Sequence, residues 1–176
     1  EDLEYNIAIC PGYFECADEL LRLSADMKEE VFVIGETPFD RPPTGPNGVN
    51  NWARTPARAT SPNIAYYYGH GLSSNIDGAT IMTTAGSTAL RTFAYNDAEA
   101  ELWFAPAGTT RGRCEHLVDV GYVSGALGGP TMFVSAYLNT GERDELYEFP
   151  KNINPITFIP GRGILVLGQK TTSPIT

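Results

Sequence analysis

The chain has 176 residues, of which 42% are hydrophobic and 19% are charged, a balance that excludes both a disordered polymer and a membrane-spanning protein. Its 21 acidic and 12 basic residues give a formal charge of −9, which argues against nucleic-acid binding because a phosphate backbone requires clustered Lys and Arg. We therefore expect one soluble, globular domain. Its acidity is most simply a solvated surface, and the alternative is a surface that meets a basic patch on a neighbouring subunit.

The first part of the chain predicts a β-α-β unit. Residues 5–10 form a short apolar strand that stops at a Pro-Gly pair. Apolar residues recur at helical spacing over 15–28, with acidic residues in the first turn, and this pattern predicts an amphipathic helix. Residues 31–34 form a second apolar strand. Because the crossover between the two strands is helical, we expect them to pair in parallel.

The middle of the chain is rich in residues that interrupt regular structure. Residues 37–62 contain six prolines, which predict a long surface loop where a larger relative would insert another domain. Residues 64–68 follow as a third strand, rich in the tyrosines that suit a sheet. Residues 77–82 are either a fourth strand or the approach to the next helix.

The elements that follow complete a mixed fold. Residues 85–95 predict a helix that begins after a capping Thr83 or Thr84. Residues 117–123 predict a strand, and residues 132–149 contain a helix. The fold class is therefore predicted to be α/β, a layered sandwich in which helices flank a mixed β-sheet, with a long Pro/Gly-rich surface loop.

Two strands joined by a turn are predicted near the C-terminal end. An apolar stretch over 153–159 is broken at Gly161-Arg162-Gly163, and a continuous buried strand follows over 164–167. The two glycines of the break are expected to supply positive φ in a tight turn. The segment fails as a dinucleotide fingerprint, because the third glycine is Gly168 and a strand follows where a helix should begin.

The ends of the first two strands are where an open α/β sheet would hold a site. Cys10 leads into a helix N-terminus, which would stabilise a thiolate, but no histidine lies nearby in the sequence and a packing role is expected. Glu36 and Asp40 could serve as acid and base or hold a divalent ion. We expect both instead to be turn residues that face the solvent.

Histidines and cysteines offer little for metal chemistry. His70 and His116 are the two histidines, and the Cys114-x-His116 pair provides too few ligands for zinc. The odd set of cysteines, which also includes Cys10 and Cys16, favours free thiols in a reducing cytoplasm over a disulfide framework.

Arginines and aromatic residues are the remaining candidates for binding. Arg111 and Arg113 could bind a phosphate, but an ion pair with a neighbour is the preferred interpretation in so acidic a chain. Trp103, Phe104 and the tyrosines at 66–68 could stack on ligands, and core packing is expected for most of them. No catalytic, cofactor-binding or metal-binding residue is therefore predicted.

Five segments of the last part of the chain form an ordered pattern. Residues 103–112 read aromatic-x-Pro-Ala-Gly-x-x-Arg-Gly, and residues 141–147 form an acidic-basic helix that ends in Leu-Tyr. Asn154-Pro155-Ile156 and Pro160-Gly161-Arg162-Gly163 follow, and then a strand closes on Gly168-Gln169-Lys170-Thr171. In this order the segments resemble the contractile tail sheath proteins of bacteriophages and related injection machines. The glycine-rich stretch 121–130 departs from the compact family pattern.

The resemblance implies a structural protein of a virion and not an enzyme. Such a subunit polymerises with other sheath subunits around a tail tube protein, meets a baseplate and contracts to drive the tube through the host envelope. It is made in the host cytoplasm and resides in the tail sheath. No cofactor, nucleic-acid partner or membrane partner is expected.

The resemblance also implies that residues 1–176 form a single sheath core domain whose parent chain continues into a C-terminal module. The start at Glu1 without methionine supports the expectation of a fragment, which should be monomeric at moderate concentration. Two alternatives remain open. One is a small α/β hydrolase-like or nucleotide-binding domain with its site at Cys10 and Glu36, and the other is a tail or baseplate protein that shares the sheath core.

Overall fold

The computed structural model describes residues 5–56, 58–99, 104–125 and 131–173. A short 3₁₀ helix, Phe14–Cys16, precedes the first α-helix. The other elements follow in the order β1 (Ile7–Ile9), α1 (Ala17–Asp26), β2 (Phe32–Glu36), α2 (Val49–Trp52), β3 (Ile64–Tyr68), β4 (His70–Ser74), β5 (Thr80–Thr83), α3 (Ala85–Glu99), α4 (Gly108–Arg111), β6 (Leu117–Ser124), β7 (Met132–Ser135), α5 (Thr140–Tyr147), β8 (Ile153–Ile159) and β9 (Gly163–Val166).

The larger of two sheets has the strand order β1-β2-β3-β8-β9. Strands β1, β2, β3 and β8 run parallel, and β9 pairs with β8 in the antiparallel direction. The predicted β-α-β unit is confirmed, since β1 and β2 are parallel neighbours connected through α1. The predicted pair of strands joined by a turn is confirmed as β8 and β9. The α/β class with a mixed sheet is confirmed with them.

The smaller sheet is antiparallel and has the order β5-β4-β6-β7. Its strands lie between β3 and β8 in the sequence. The sequence predicted β6 and left β5 open, but it predicted neither β4 nor β7. Strand β4 follows β3 after a single residue, Gly69, whose φ is +111°. A Cβ at Gly69 would lie 2.2 Å from the carbonyl oxygen of Ile156, so only glycine fits this switch between sheets.

Both faces of the larger sheet are covered, and two hydrophobic clusters result. Helix α1, residues of the segment 37–62 and Leu146 of α5 pack on one face together with Tyr66 and Tyr68. Helix α3 and the smaller sheet pack on the opposite face together with Tyr67. The three tyrosines alternate between faces as strand geometry requires, and burial raises the pKa of each phenol. Their predicted core role is confirmed.

The segment 37–62 is irregular, as predicted, apart from the single turn of α2. The prediction that it is a surface loop is wrong for its second half, where Val49 and Trp52 are buried. The Trp52 ring meets Tyr66 edge-on with centroids 5.6 Å apart. Tyr66 and Tyr68 also donate hydrogen bonds to carbonyl oxygens of this segment, at 3.1 and 3.2 Å. Proline interrupts regular structure, but apolar side chains between prolines still pack into the core.

The boundaries of the other predicted elements change little. The helix predicted over 85–95 extends to Glu99, and the helix predicted within 132–149 is α5. Helix α5 begins with a capping box, in which Asn139 and Glu142 exchange hydrogen bonds with each other's backbone amides. Of the glycine-rich stretch, residues 121–124 belong to β6 and residues 126–130 lie outside the described ranges. None of the helices in the described ranges combines the length and apolar composition that crossing a bilayer requires.

Candidate functional site

Glu36 ends β2 and is almost fully buried, with 2% of its surface exposed. Its carboxylate accepts hydrogen bonds from the Thr84 hydroxyl at 2.5 Å and the Gly86 amide at 3.2 Å. Burial raises the pKa of Glu36, and these hydrogen bonds oppose the shift in part. The prediction that Glu36 faces solvent is wrong, because its carboxylate satisfies backbone and hydroxyl donors at the start of α3. Asp40 is exposed, as predicted.

His70, the first residue of β4, also supports the start of α3. Its Nδ1 accepts a hydrogen bond from the Ala85 amide at 3.2 Å. Thr84 caps the helix, since its hydroxyl oxygen accepts from the Ser87 amide at 3.2 Å, and one of the two predicted caps is thereby confirmed. Burial lowers the pKa of His70 to about 4, so the ring is neutral at neutral pH. Glu36, His70 and Thr84 therefore stabilise the first turn of α3.

The cysteines are free thiols, as predicted. A hydrogen bond with the Cys16 side chain, followed by burial, raises the pKa of Cys10. A nucleophilic thiolate needs a lowered pKa, so the helix that follows Cys10 does not activate it. Burial likewise raises the pKa of Cys114, to about 11.

Cys114 of the Cys114-x-His116 pair contacts α3 and the residue that follows α4. The Cys114 thiol lies 3.8 Å from the Thr92 hydroxyl and 3.6 Å from the Gly112 carbonyl oxygen. Burial lowers the pKa of His116, and the nearby Arg91 charge adds to the shift. Within the described ranges, no group of three or more His, Cys, Asp or Glu residues is placed to hold a metal ion.

Three of the five segments of the C-terminal pattern meet around Asn154, which is fully buried in β8. The Asn154 amide group donates to the carbonyl oxygens of Tyr66 at 3.1 Å and Lys170 at 2.8 Å, and its oxygen accepts from the Lys170 amide at 2.7 Å. The Lys170 ammonium lies 4.0 Å from the centroid of the Tyr147 ring and donates to the Tyr147 carbonyl oxygen at 3.2 Å. The Asn-Pro, Leu-Tyr and Gly-Gln-Lys-Thr segments therefore form one cluster.

Three glycines of the pattern also have structural roles. The Val166 amide donates to the Gly112 carbonyl oxygen at 2.7 Å, which attaches the end of α4 to β9. Gly161 and Gly163 have φ values of +77° and +88°, which confirms that they supply positive φ in the turn between β8 and β9. Trp103 lies outside the described residues.

A pocket of about 270 Å³ opens between α3, α4 and the segment that leads into β6. Its charged lining consists of Arg91, Arg111, Arg113 and Glu115. Arg113 pairs with Glu115 at 3.9 Å, as the predicted ion pair with a neighbour requires. The Arg111 guanidinium instead lies 3.6 Å from the centroid of the Phe104 ring.

Sequence reasoning missed two arginines. Arg91 reaches the pocket from α3, and its spacing from Tyr95, another lining residue, places both on one helix face. That spacing was the one available signal. Arg58 is buried and donates hydrogen bonds to the carbonyl oxygens of Pro150, at 2.8 Å, and Lys151. No local pattern in the sequence marks Arg58.

No family model and no curated protein matches the sequence, but solved structures match the fold. The chain is similar to a protein in the contracted helical sheath of the anti-feeding prophage (AFP), with 19% identity and a TM-score of 0.62 over 96% of this chain. A protein in the contracted sheath complex of the extracellular contractile injection system PVC is similar over 98%, with 17% identity and a TM-score of 0.63. The chain has the contractile-sheath fold.

The sheath fold also occurs in a structure of the AFP baseplate, which is similar over 97% of this chain with 21% identity and a TM-score of 0.56. The chain spans 38%, 39% and 41% of the lengths of these three proteins. The resemblance predicted from the C-terminal pattern is thereby confirmed at the level of the fold. Among the pattern residues, Asn154, Lys170 and Gly112 maintain this fold through their hydrogen bonds.

Proposed function

We propose that this chain is the folded core of a contractile sheath subunit. The observation that carries the proposal is the fold match over nearly the whole chain to proteins of two contracted sheaths. The hydrogen-bonded cluster around Asn154 supports it, because a lattice that changes shape needs modules that stay rigid while their contacts rearrange.

In this proposal, copies of the subunit polymerise around a tail tube protein and end at a baseplate in a phage-like particle. Contraction of the lattice drives the tube through the host envelope. Its free energy comes from rearranged contacts between subunits and not from nucleotide hydrolysis. The subunit is made in the host cytoplasm and functions in the assembled virion.

Residues 1–176 would form one core domain within a longer subunit, a proposal supported by the two-fifths share of the sheath proteins that the chain spans. The segment 37–62 remains the proposed insertion point for a further domain. Its exposed corner at residues 45–47 suits an insertion, whereas the buried Val49 and Trp52 must stay in place.

The alternative of a hydrolase-like or nucleotide-binding domain finds no support in the geometry at the strand ends. The Glu36 carboxylate is occupied by donors at the start of α3, and the pKa of Cys10 is raised. A role in the baseplate is the second candidate, since the AFP baseplate structure contains a protein of the same fold.

Negative-stain electron microscopy of the protein that carries this chain, purified without other particle components and concentrated, tests the proposal. Hollow tubes with a helical repeat are the expected result. Closed rings without tubes would favour the baseplate role, and dispersed particles at every salt concentration would overturn both.

A further inference from the structure

The arginine-lined pocket carries more positive than negative charge, although the protein as a whole is acidic. Arg91, Arg111 and Arg113 surround it, and Glu115 is the one acidic lining residue. The contact between Arg113 and Glu115 is long, at 3.9 Å, and both side chains are largely exposed. The ion pair therefore offsets little of the positive charge of the pocket. Among the residues that the structure describes, no carboxylate pairs with Arg91 or Arg111.

The shape and the neutral groups of the pocket suit a carboxylate. A volume of about 270 Å³ accommodates an acidic side chain with its hydration. Thr110 and Tyr95 also line the pocket, and their hydroxyl groups are able to donate further hydrogen bonds. Arginine binds carboxylates through paired hydrogen bonds, which are stronger than those between neutral groups.

An exposed acidic pair lies on the opposite face of the larger sheet. Glu15, in the 3₁₀ helix, and Asp18, at the start of α1, are both exposed and stand three residues apart on neighbouring turns. The next acidic residue, Glu19, is already paired with Arg22 at 2.7 Å. Helix α1 packs on one hydrophobic cluster and α3 on the other, so one molecule presents the two charged sites on opposite faces.

We infer that the pocket receives the Glu15 and Asp18 carboxylates of a second copy of this chain. Because donor and acceptor sites are different surfaces on opposite faces, the contact is heterologous and repeats from copy to copy into rings or open helices. A two-fold dimer cannot satisfy it with the same patch on both partners. The inference deepens the proposed function and rests on it, since the copies meet within an assembly.

The test separates one contact from polymerisation with two complementary variants. The pocket-neutral variant, Arg91→Gln/Arg113→Gln, keeps the acidic site, and the helix-neutral variant, Glu15→Gln/Asp18→Asn, keeps the pocket. Neither can bind itself through the inferred contact, but the two together form one complex that cannot extend. The isotope-labelled helix-neutral variant is titrated with the unlabelled pocket-neutral variant, and amide resonances are recorded at low and high salt.

We expect saturable shifts of the pocket amides, centred on α3 and α4, that weaken at least about tenfold in apparent affinity when salt screens the charges or when the titrant also lacks Glu15 and Asp18. A control titrant that loses the exposed Asp77 and Asp144 carboxylates instead, through Asp77→Asn/Asp144→Asn, should bind as the pocket-neutral variant does. Thermal unfolding of each variant checks that folding is intact.

Absence of shifts, or equal shifts with the titrant that lacks Glu15 and Asp18, overturns the inference. A pocket that responds to inorganic phosphate but not to the acidic variant is a site for free anions, and this result also overturns it. If the pocket-neutral protein formed tubes equally well, the inferred contact would be overturned and the proposed function would still hold. If the titration showed binding but the unmodified protein formed no tubes, the proposed function would be overturned and the inferred contact would still hold.

Discussion

Asn154→Ala removes the side chain that holds three of the five pattern segments together. Asn154 is fully buried and takes part in three hydrogen bonds, two to Lys170 and one to Tyr66. At about 1 kcal/mol net for each hydrogen bond, the expected loss is about 3 kcal/mol of the free energy of unfolding. The two carbonyl groups and one amide left without partners make this a lower rather than an upper value.

Equilibrium unfolding in urea measures the loss, provided that the slope against urea concentration is unchanged. Asn51→Ala is the matched control, because Asn51 also donates two hydrogen bonds to carbonyl oxygens, at 2.9 and 3.3 Å, but is exposed. We expect Asn51→Ala to cost less than about 1 kcal/mol, since water replaces the lost partners. Equal costs for the two substitutions would refute the argument that the pattern residues act through buried hydrogen bonds.

Three further substitutions or conditions test other parts of the fold. Trp52→Ala should cost about 3–5 kcal/mol in urea unfolding, whereas a loss below about 1 kcal/mol would mean that the segment 37–62 is not part of the core. Gly69→Ala should cost at least about 2 kcal/mol more than Gly78→Ala, because both have positive φ but a Cβ at Gly78 meets open space; equal losses would contradict the close approach to Ile156. For His70, a folded pKa of about 4 against 6.5 means that its contribution to stability is present above pH 6.5 and is lost as the pH falls towards 4. Ring resonances of His70 that titrate near pH 6.5 in the folded protein would contradict this assignment.

The sequence predicted the larger sheet well because its strands are buried on both faces. Strands β2 and β3 are nearly continuous runs of buried residues, and such runs stand out without any knowledge of their partners. Strand β4 was missed because its two buried residues are His70 and Gly71, which give no apolar run, and its other residues are only partly buried or exposed. Its place is fixed by pairing with β5 and β6, which no local pattern reveals.

The candidate sites were predicted less well because burial of a polar group depends on distant residues. Glu36 follows an apolar strand and precedes a proline-rich segment, so a solvent-facing turn was the simplest interpretation. Its partners Thr84 and Gly86 lie far along the chain, at the start of α3. The pocket shows the same limit, since Arg91 meets Arg111 and Arg113 only after α3 packs on the sheet.

Helical reconstruction by electron cryomicroscopy of tubes in extended and contracted states would show whether this chain is a rigid module of a contractile sheath. Both walls are expected to accommodate the two-sheet domain without internal change, with the Asn154 cluster intact and only the contacts between copies altered. A wall that excludes the domain, or one in which β8 and the segment around Lys170 separate on contraction, would contradict this expectation.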